Sequence, residues 1–125
     1  MSRREKVAQA LRKEVGIIIH DELKDPRLGF VTITRAEITA DLREAKIFYS
    51  VLGQEQDYQK TKEALDSALG FIRRLVGQRI KLRFVPEITF KEDRSSEYSI
   101  RIQEVLDQIK EQDESKKSNR KHKKQ

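Results

Sequence analysis

Apolar side chains recur at Val7, Leu11, Val15, Ile18 and Ile19, the spacing of one face of a helix. In front of them, Ser2-Arg3-Arg4-Glu5 reads as a capping box, with Ser2 as the N-cap and Glu5 reaching back. The pattern predicts a first helix running to about residue 23. Gly16 lies inside it and weakens it by roughly 1 kcal/mol relative to Ala, while a glycine on a helix face lets another backbone come close. Asp25-Pro26 ends the helix, because the proline ring keeps the residue before it out of the helical region, and Leu28-Gly29 completes the turn.

Residues 30–38 then read as a strand. Val31 and Ile33 share one parity and Ala36 and Ile38 the other, so the phase changes near Thr34-Arg35. A β-bulge there returns the later apolar side chains to the core. Residues 43–52 form a second strand with Ala45, Ile47, Tyr49 and Val51 on one face, close enough in sequence to pair with the first as an antiparallel hairpin. Gly53 ends it. A helical region follows over residues 55–80, with Ala64, Leu65, Ala68, Leu69, Ile72, Leu75 and Val76 as its stripe and Gly70 interrupting it. Leu82, Phe84, Ile88 and Phe90 alternate as a third strand, which Pro86 either bulges or confines to an edge, since proline donates no ladder bond. Ser95 or Ser96 can cap a last helix carrying Ile102, Val105, Leu106 and Ile109. The order α-β-β-α-α-β-α describes one α+β domain over residues 1–114, followed by a tail over residues 115–125.

Charge changes this picture in two places. The chain holds 27 Lys and Arg against 21 Asp and Glu. Six of the basic residues (Lys116, Lys117, Arg120, Lys121, Lys123 and Lys124) fall in the acid-free tail, which leaves 21 basic against 21 acidic residues in the body. That tail is too polar to bury surface of its own and is expected to be disordered. The body is neutral, so any nucleic-acid binding by it must come from a local patch. One patch stands out. Between Asp66 and Glu87 there is no acidic residue, while Arg73, Arg74, Arg79, Lys81 and Arg83 all lie there. On a helix, Arg73, Arg74, Gln78 and Lys81 form a polar stripe opposite Ile72, Leu75 and Val76. Gly77 would let a phosphate backbone approach, and Gly70 near a helix start would expose backbone N–H groups to an anion. A solvated helix face beside a core accounts for the same charges equally well.

Other chemistry finds little support. The chain has no Cys and no Trp, which removes disulfides and cysteine zinc sites and suits a reducing cytoplasm. The apolar stretch around Ile17-Ile18-Ile19 is too short for a membrane helix or a signal peptide. His20 and His122 are the only histidines, and His20 sits where a helix dipole favours it. No Ser/His/Asp set, phosphate loop or metal-ligand cluster is apparent, so neither catalysis nor a cofactor is expected. Phe30, Phe84 and Phe90 read as core residues.

The order of elements and several runs resemble the ribosome-binding factor A family. The first run is Glu22-Leu23-Lys24-Asp25-Pro26-Arg27-Leu28-Gly29-Phe30-Val31-Thr32-Ile33-Thr34. The others are Ala40-Asp41-Leu42 with Ala45-Lys46 and Ser50-Val51-Leu52-Gly53, Ala68-Leu69-Gly70-Phe71-Ile72-Arg73, and Leu82-Arg83-Phe84-Val85-Pro86-Glu87-Ile88-Thr89-Phe90. Asp93, Ser95, Arg101 and Ile102 fall at matching spacing. The chain departs from the family pattern at Ser99, where a glycine is expected.

This resemblance implies a type II KH-like fold with Ala68-Leu69-Gly70 at the helix junction, where an ordinary KH domain carries a GXXG loop that this sequence lacks. It implies a bacterial, cytoplasmic, monomeric factor that binds the free 30S subunit through 16S ribosomal RNA. The resemblance further implies help in late maturation, including processing of the rRNA ends, and in cold adaptation. RNA contact is then expected at Ala68, Gly70, Arg73, Arg74, Gln78, Arg79, Lys81 and Arg83, and along the basic tail. The alternative is a protein-interaction module that docks through its helices, and a third reading is an RNA-processing enzyme.

Overall fold

The computed structural model describes residues 1–94 and 104–110. The chain divides into two compact units, Met1–Asp93 and Arg94–Gln125. In the second, residues 104–110 are helical with Val105 and Ile109 about half exposed, while the proposed caps Ser95 and Ser96, Ile102 and the basic tail lie outside the described residues.

Helix α1 spans Arg3–Ile17, and Ser2 caps it by accepting the Glu5 N–H at 3.1 Å. Its buried face is Val7, Leu11 and Val15. The predicted helix runs on as a wider π turn over Ile18–Glu22, closed by the Leu23 N–H donating to the Ile18 carbonyl at 3.2 Å. Such turns lodge an extra residue at a helix end, and here Ile18 and Ile19 both stay buried. Asp25-Pro26-Arg27-Leu28 is a β-turn in which the Leu28 N–H donates to the Asp25 carbonyl at 3.1 Å and the Asp25 side chain accepts the Arg27 N–H at 2.9 Å. Asp at the first position and Pro at the second suit that turn.

Strands β1 (Phe30–Ile38), β2 (Glu44–Leu52) and β3 (Glu87–Glu92) form one sheet in the order β1-β2-β3. The first pair is antiparallel, with its register shifting between Ile33 and Arg35. Thr34 is the extra residue of the predicted bulge, and the shift lets Ile33 and Ile38 both face the core despite their opposite parity. Strand β3 pairs parallel to β2. A parallel neighbour needs a long crossover, supplied here by α2 (Glu55–Ser67) and α3 (Leu69–Arg79). The expected third strand starts late. Residues 81–86 form a loop, and the strand begins only after Pro86, which is buried and brings no N–H to the ladder.

One core gathers α1, the inner sheet face and the α2–α3 pair. Leu11, Ile18, Ile47, Leu65 and Ile72 are fully buried in it, and side chains of this size contribute roughly 1.5–3 kcal/mol each. Tyr49 and Phe90 meet edge to face with centroids 6.3 Å apart. Phe90 is therefore the core residue expected, whereas Phe30 and Phe84 are 80 % and 54 % exposed and are not.

Candidate nucleic-acid interface

The break between α2 and α3 falls at Ala68, with φ −90° and ψ 1°, and not at Gly70. Gly70 is the second residue of α3, has no positive φ, and is exposed. A methyl group there would meet nothing within 4 Å. The expectation that Gly70 interrupts the helical region is thus corrected: the break falls on Ala68, at the start of the expected Ala68-Leu69-Gly70 junction. Gly70 does occupy the first turn of α3, where backbone N–H groups lack intrahelical acceptors.

The cations of the acid-free run separate by position. Arg73 was expected to be exposed opposite the apolar stripe, but it is two-thirds buried. Its Nε donates to the Pro86 carbonyl at 3.1 Å, its Nη2 to the Val85 carbonyl at 3.3 Å, and its guanidinium pairs with Glu87 at 3.1 Å. Arg73 therefore holds the loop before β3 against α3. Arg79 pairs with Glu14 at 3.7 Å and Glu22 at 3.0 Å, joining the end of α3 to α1 and the π turn. Arg74, about 100° around the helix from Arg73, is exposed, with its guanidinium 5.3 Å from the Phe71 ring. Gln78 follows on the same face, and Lys81 and Arg83 stand exposed just beyond the helix. Ala68 and Leu69, at the opposite end of α3, are half-buried.

Gly77 has a different role from the one expected. A methyl group on it would lie 2.7 Å from Val85 Cγ2, so the absent side chain admits Val85 and not a phosphate backbone. This close approach and the Arg73 bonds together fix the 81–86 loop.

That loop presents Phe84 to solvent. The guanidinium of Arg83 lies 5.5 Å from its ring centroid and that of Arg43 lies 5.2 Å away. Arg43 reaches the site because the Glu87 N–H donates to its carbonyl at 2.8 Å, where the parallel pairing of β2 and β3 begins. Sequence reasoning missed Arg43, since only a parallel β2–β3 pair brings it there.

Titration is perturbed elsewhere. Hydrogen bonds from the Arg27 side chain and backbone hold the Asp25 carboxyl below its ordinary range, and the Thr39 hydroxyl and Arg43 N–H do the same for Asp41. Among the described residues, no group of three or more acidic or histidine side chains is placed to hold a metal ion, and no helix is long and apolar enough to cross a membrane. His20 pairs with Asp21 at 2.7 Å on the surface, and His122 and the tail cations Lys116, Lys117, Arg120, Lys121, Lys123 and Lys124 lie outside the described residues.

The chain is similar to known proteins along most of its length. Ribosome-binding factor A of Halothermothrix orenii is 45 % identical over 113 residues, which cover 90 % of this chain and 93 % of the relative. That of Desulforamulus reducens is 48 % identical over 111 residues, covering 89 % and 92 %. The crystal structure of ribosome-binding factor A from Thermus thermophilus matches 75 % of this chain and 100 % of its own with a TM-score of 0.67 at 19 % identity, a likeness of fold. A homology model of the Thermus thermophilus factor, fitted into the cryo-EM map of its 30S complex, matches 74 % of this chain and 97 % of its own with a TM-score of 0.63 at 21 % identity. The family model described as ribosome-binding factor A matches residues 3–106, and the chain belongs to that family.

Proposed function

We propose that this protein is a non-catalytic assembly factor that binds the free 30S subunit through 16S ribosomal RNA. It assists late maturation, including processing of the rRNA ends, and supports growth in the cold. On this reading it acts in the bacterial cytoplasm as a monomer. The fold is read as KH-like of type II, supported by the order α-β-β-α-α-β and by β3 running parallel to β2. With no GXXG loop, RNA lies along the α2–α3 junction at Ala68 and Gly70 and along the flank beyond it.

The observation that carries this reading is the exposed set Arg74, Gln78, Lys81 and Arg83, in a stretch with no acidic residue between Asp66 and Glu87. Arg73 and Arg79 support it by fixing α3 and the loop, and the six tail cations add further attraction. Binding to small-subunit RNA should weaken steeply as salt rises. Replacing Arg74, Lys81 and Arg83 together by Ala should flatten the salt slope by roughly 2, at about 0.7 per lost single-strand phosphate contact. An unchanged slope would remove this surface from the contact.

A protein-docking reading is favoured by Phe30, 80 % exposed at the start of β1. It predicts binding that persists in high salt and is lost on Phe30→Ser.

A further inference from the structure

We propose that Phe84 is a stacking platform for one unpaired nucleobase, with Arg43 and Arg83 holding the phosphates on either side of it. The inference rests on the RNA-binding reading above and gives that surface a site that accepts single strands.

Phe84 is 54 % exposed, although Ile88 and Phe90, close by in sequence, reach the core. It is not an isolated apolar side chain left outside. Two guanidinium groups converge on its ring, that of Arg43, just before β2, at 5.2 Å and that of Arg83, its neighbour in the loop, at 5.5 Å. Both distances fall within the range where a cation feels the ring's negative face. They are longer than the 4.0 Å at which Arg35 covers the Phe48 ring. Arg43 and Arg83 therefore attend the Phe84 ring without sealing it, and more than half of the residue remains open. An aromatic face beside two weakly hydrated cations matches the alternation of base and phosphate in a single strand.

The surroundings keep the platform rigid and guide the strand. Phe84 directly precedes Val85 and Pro86, whose carbonyls accept from Arg73, and Val85 is seated on Gly77. Lys81 stands exposed three residues before Phe84, between it and the exposed Gln78 and Arg74 in sequence. Two acids stand on the strand side. Glu87 is paired to Arg73, and Glu44 faces Glu87 across the β2–β3 pair, so the strand must pass on the helix side of the ring. A duplex keeps its bases stacked inside and offers this ring no face.

The chain has no Trp, so Phe84→Trp introduces a unique fluorophore at the site. Adding a six-nucleotide oligoadenylate should quench that indole, and an RNA duplex of the same length should not. For the native chain, Phe84→Ala should weaken binding to oligoadenylate and to small-subunit RNA by roughly 5- to 150-fold, the span measured for one base–aromatic stack. Phe84→Tyr should restore most of that loss. Equal quenching by duplex and single strand would overturn the stacking role. Binding by Phe84→Ala within about twofold of the native protein would also overturn it, while leaving the RNA-binding reading intact. Failure of the native protein to bind small-subunit RNA would overturn both. If Phe84→Ala lowers the melting temperature, the indole quenching decides, and its absence refutes the proposal.

Discussion

Arg73 donates from Nε to the carbonyl of Pro86 at 3.1 Å, tying the middle of α3 to the residue that launches β3. The neighbouring Arg74 makes no such bridge to the loop and points to solvent. Of two adjacent arginines, one thus bridges two elements and the other is left to solvent, free for the RNA contact proposed above. Arg73→Ala should destabilise the fold by about 1–3 kcal/mol, because it strips charged donors from two carbonyls in a partly buried place. Arg74→Ala should stay within about 0.5 kcal/mol of the native protein. Urea unfolding of each single variant checks this. Equal midpoints for the two would mean that the bonds of Arg73 do not hold the loop.

The glycines should respond oppositely to the same substitution. A methyl group on Gly16 would lie 4.0 Å from Ile33 Cγ1, an ordinary contact, inside α1. Gly16→Ala should therefore stabilise the domain by up to about 1 kcal/mol through helix propensity. At Gly77 the methyl group would press on Val85 at 2.7 Å. Overpacking of that kind costs about 1–3 kcal/mol, more than the propensity gain. Thermal melts should move up for the first and down for the second. A rise for Gly77→Ala would show that the loop yields freely.

Much of the fold was legible in the sequence because side-chain parity records which face is buried. The bulge at Thr34 follows from Ile33 and Ile38 having opposite parity and one common core. The antiparallel hairpin follows from the short link between two patterned strands. Two things escaped for related reasons. Alternation at Leu82 and Phe84 looks like a strand, yet the loop before Pro86 is held by Arg73 and Gly77, partners distant from it in sequence. The same bonds make Arg73 structural, and a list of charges cannot separate an arginine that bridges two elements from one that faces water. The helix break lies within the expected Ala68-Leu69-Gly70 junction, but on the alanine and not on Gly70, which the pattern alone could not separate.

Acid should act at the turn that opens β1. Asp25 accepts from Arg27 Nη2 at 2.7 Å and from the Arg27 N–H at 2.9 Å, which lowers its pKa from 3.8. A carboxyl depressed in the folded state lends stability above its unfolded value, and that contribution disappears as pH falls through the folded value. The turn's contribution should thus be complete at neutral pH and fade only below about pH 4, the ordinary carboxyl range. In an NMR titration, the Asp25 carboxyl should protonate below 3.8 and return toward it in Arg27→Ala. A midpoint unmoved by that substitution would assign the shift to another cause.

The tail and the α3 surface should separate in a salt titration. Residues 115–125 carry six cations and no acid, so on the proposed reading they should attract any RNA through counterion release. Deleting them should weaken binding to small-subunit RNA and to an unrelated single strand by the same factor, mostly at low salt. The melting temperature should barely change, since so polar a segment has almost nothing to bury. Replacing Arg74, Lys81 and Arg83 by Ala should also flatten the salt slope, but it should lower binding to the small subunit more than binding to the unrelated strand. The reason is geometric. Arg74 is carried by a helix packed on the core through Ile72 and Val76, and Arg83 by a loop pinned through Arg73, so both are held in place and can favour one arrangement of phosphates over others. The combined variant should show the sum of the two slope changes if tail and surface hold different phosphates. A sum well short of that would mean that both compete for the same ones. If the deletion alone removes all preference for the small subunit, recognition resides in the tail and the α3 surface is only a solvated helix face.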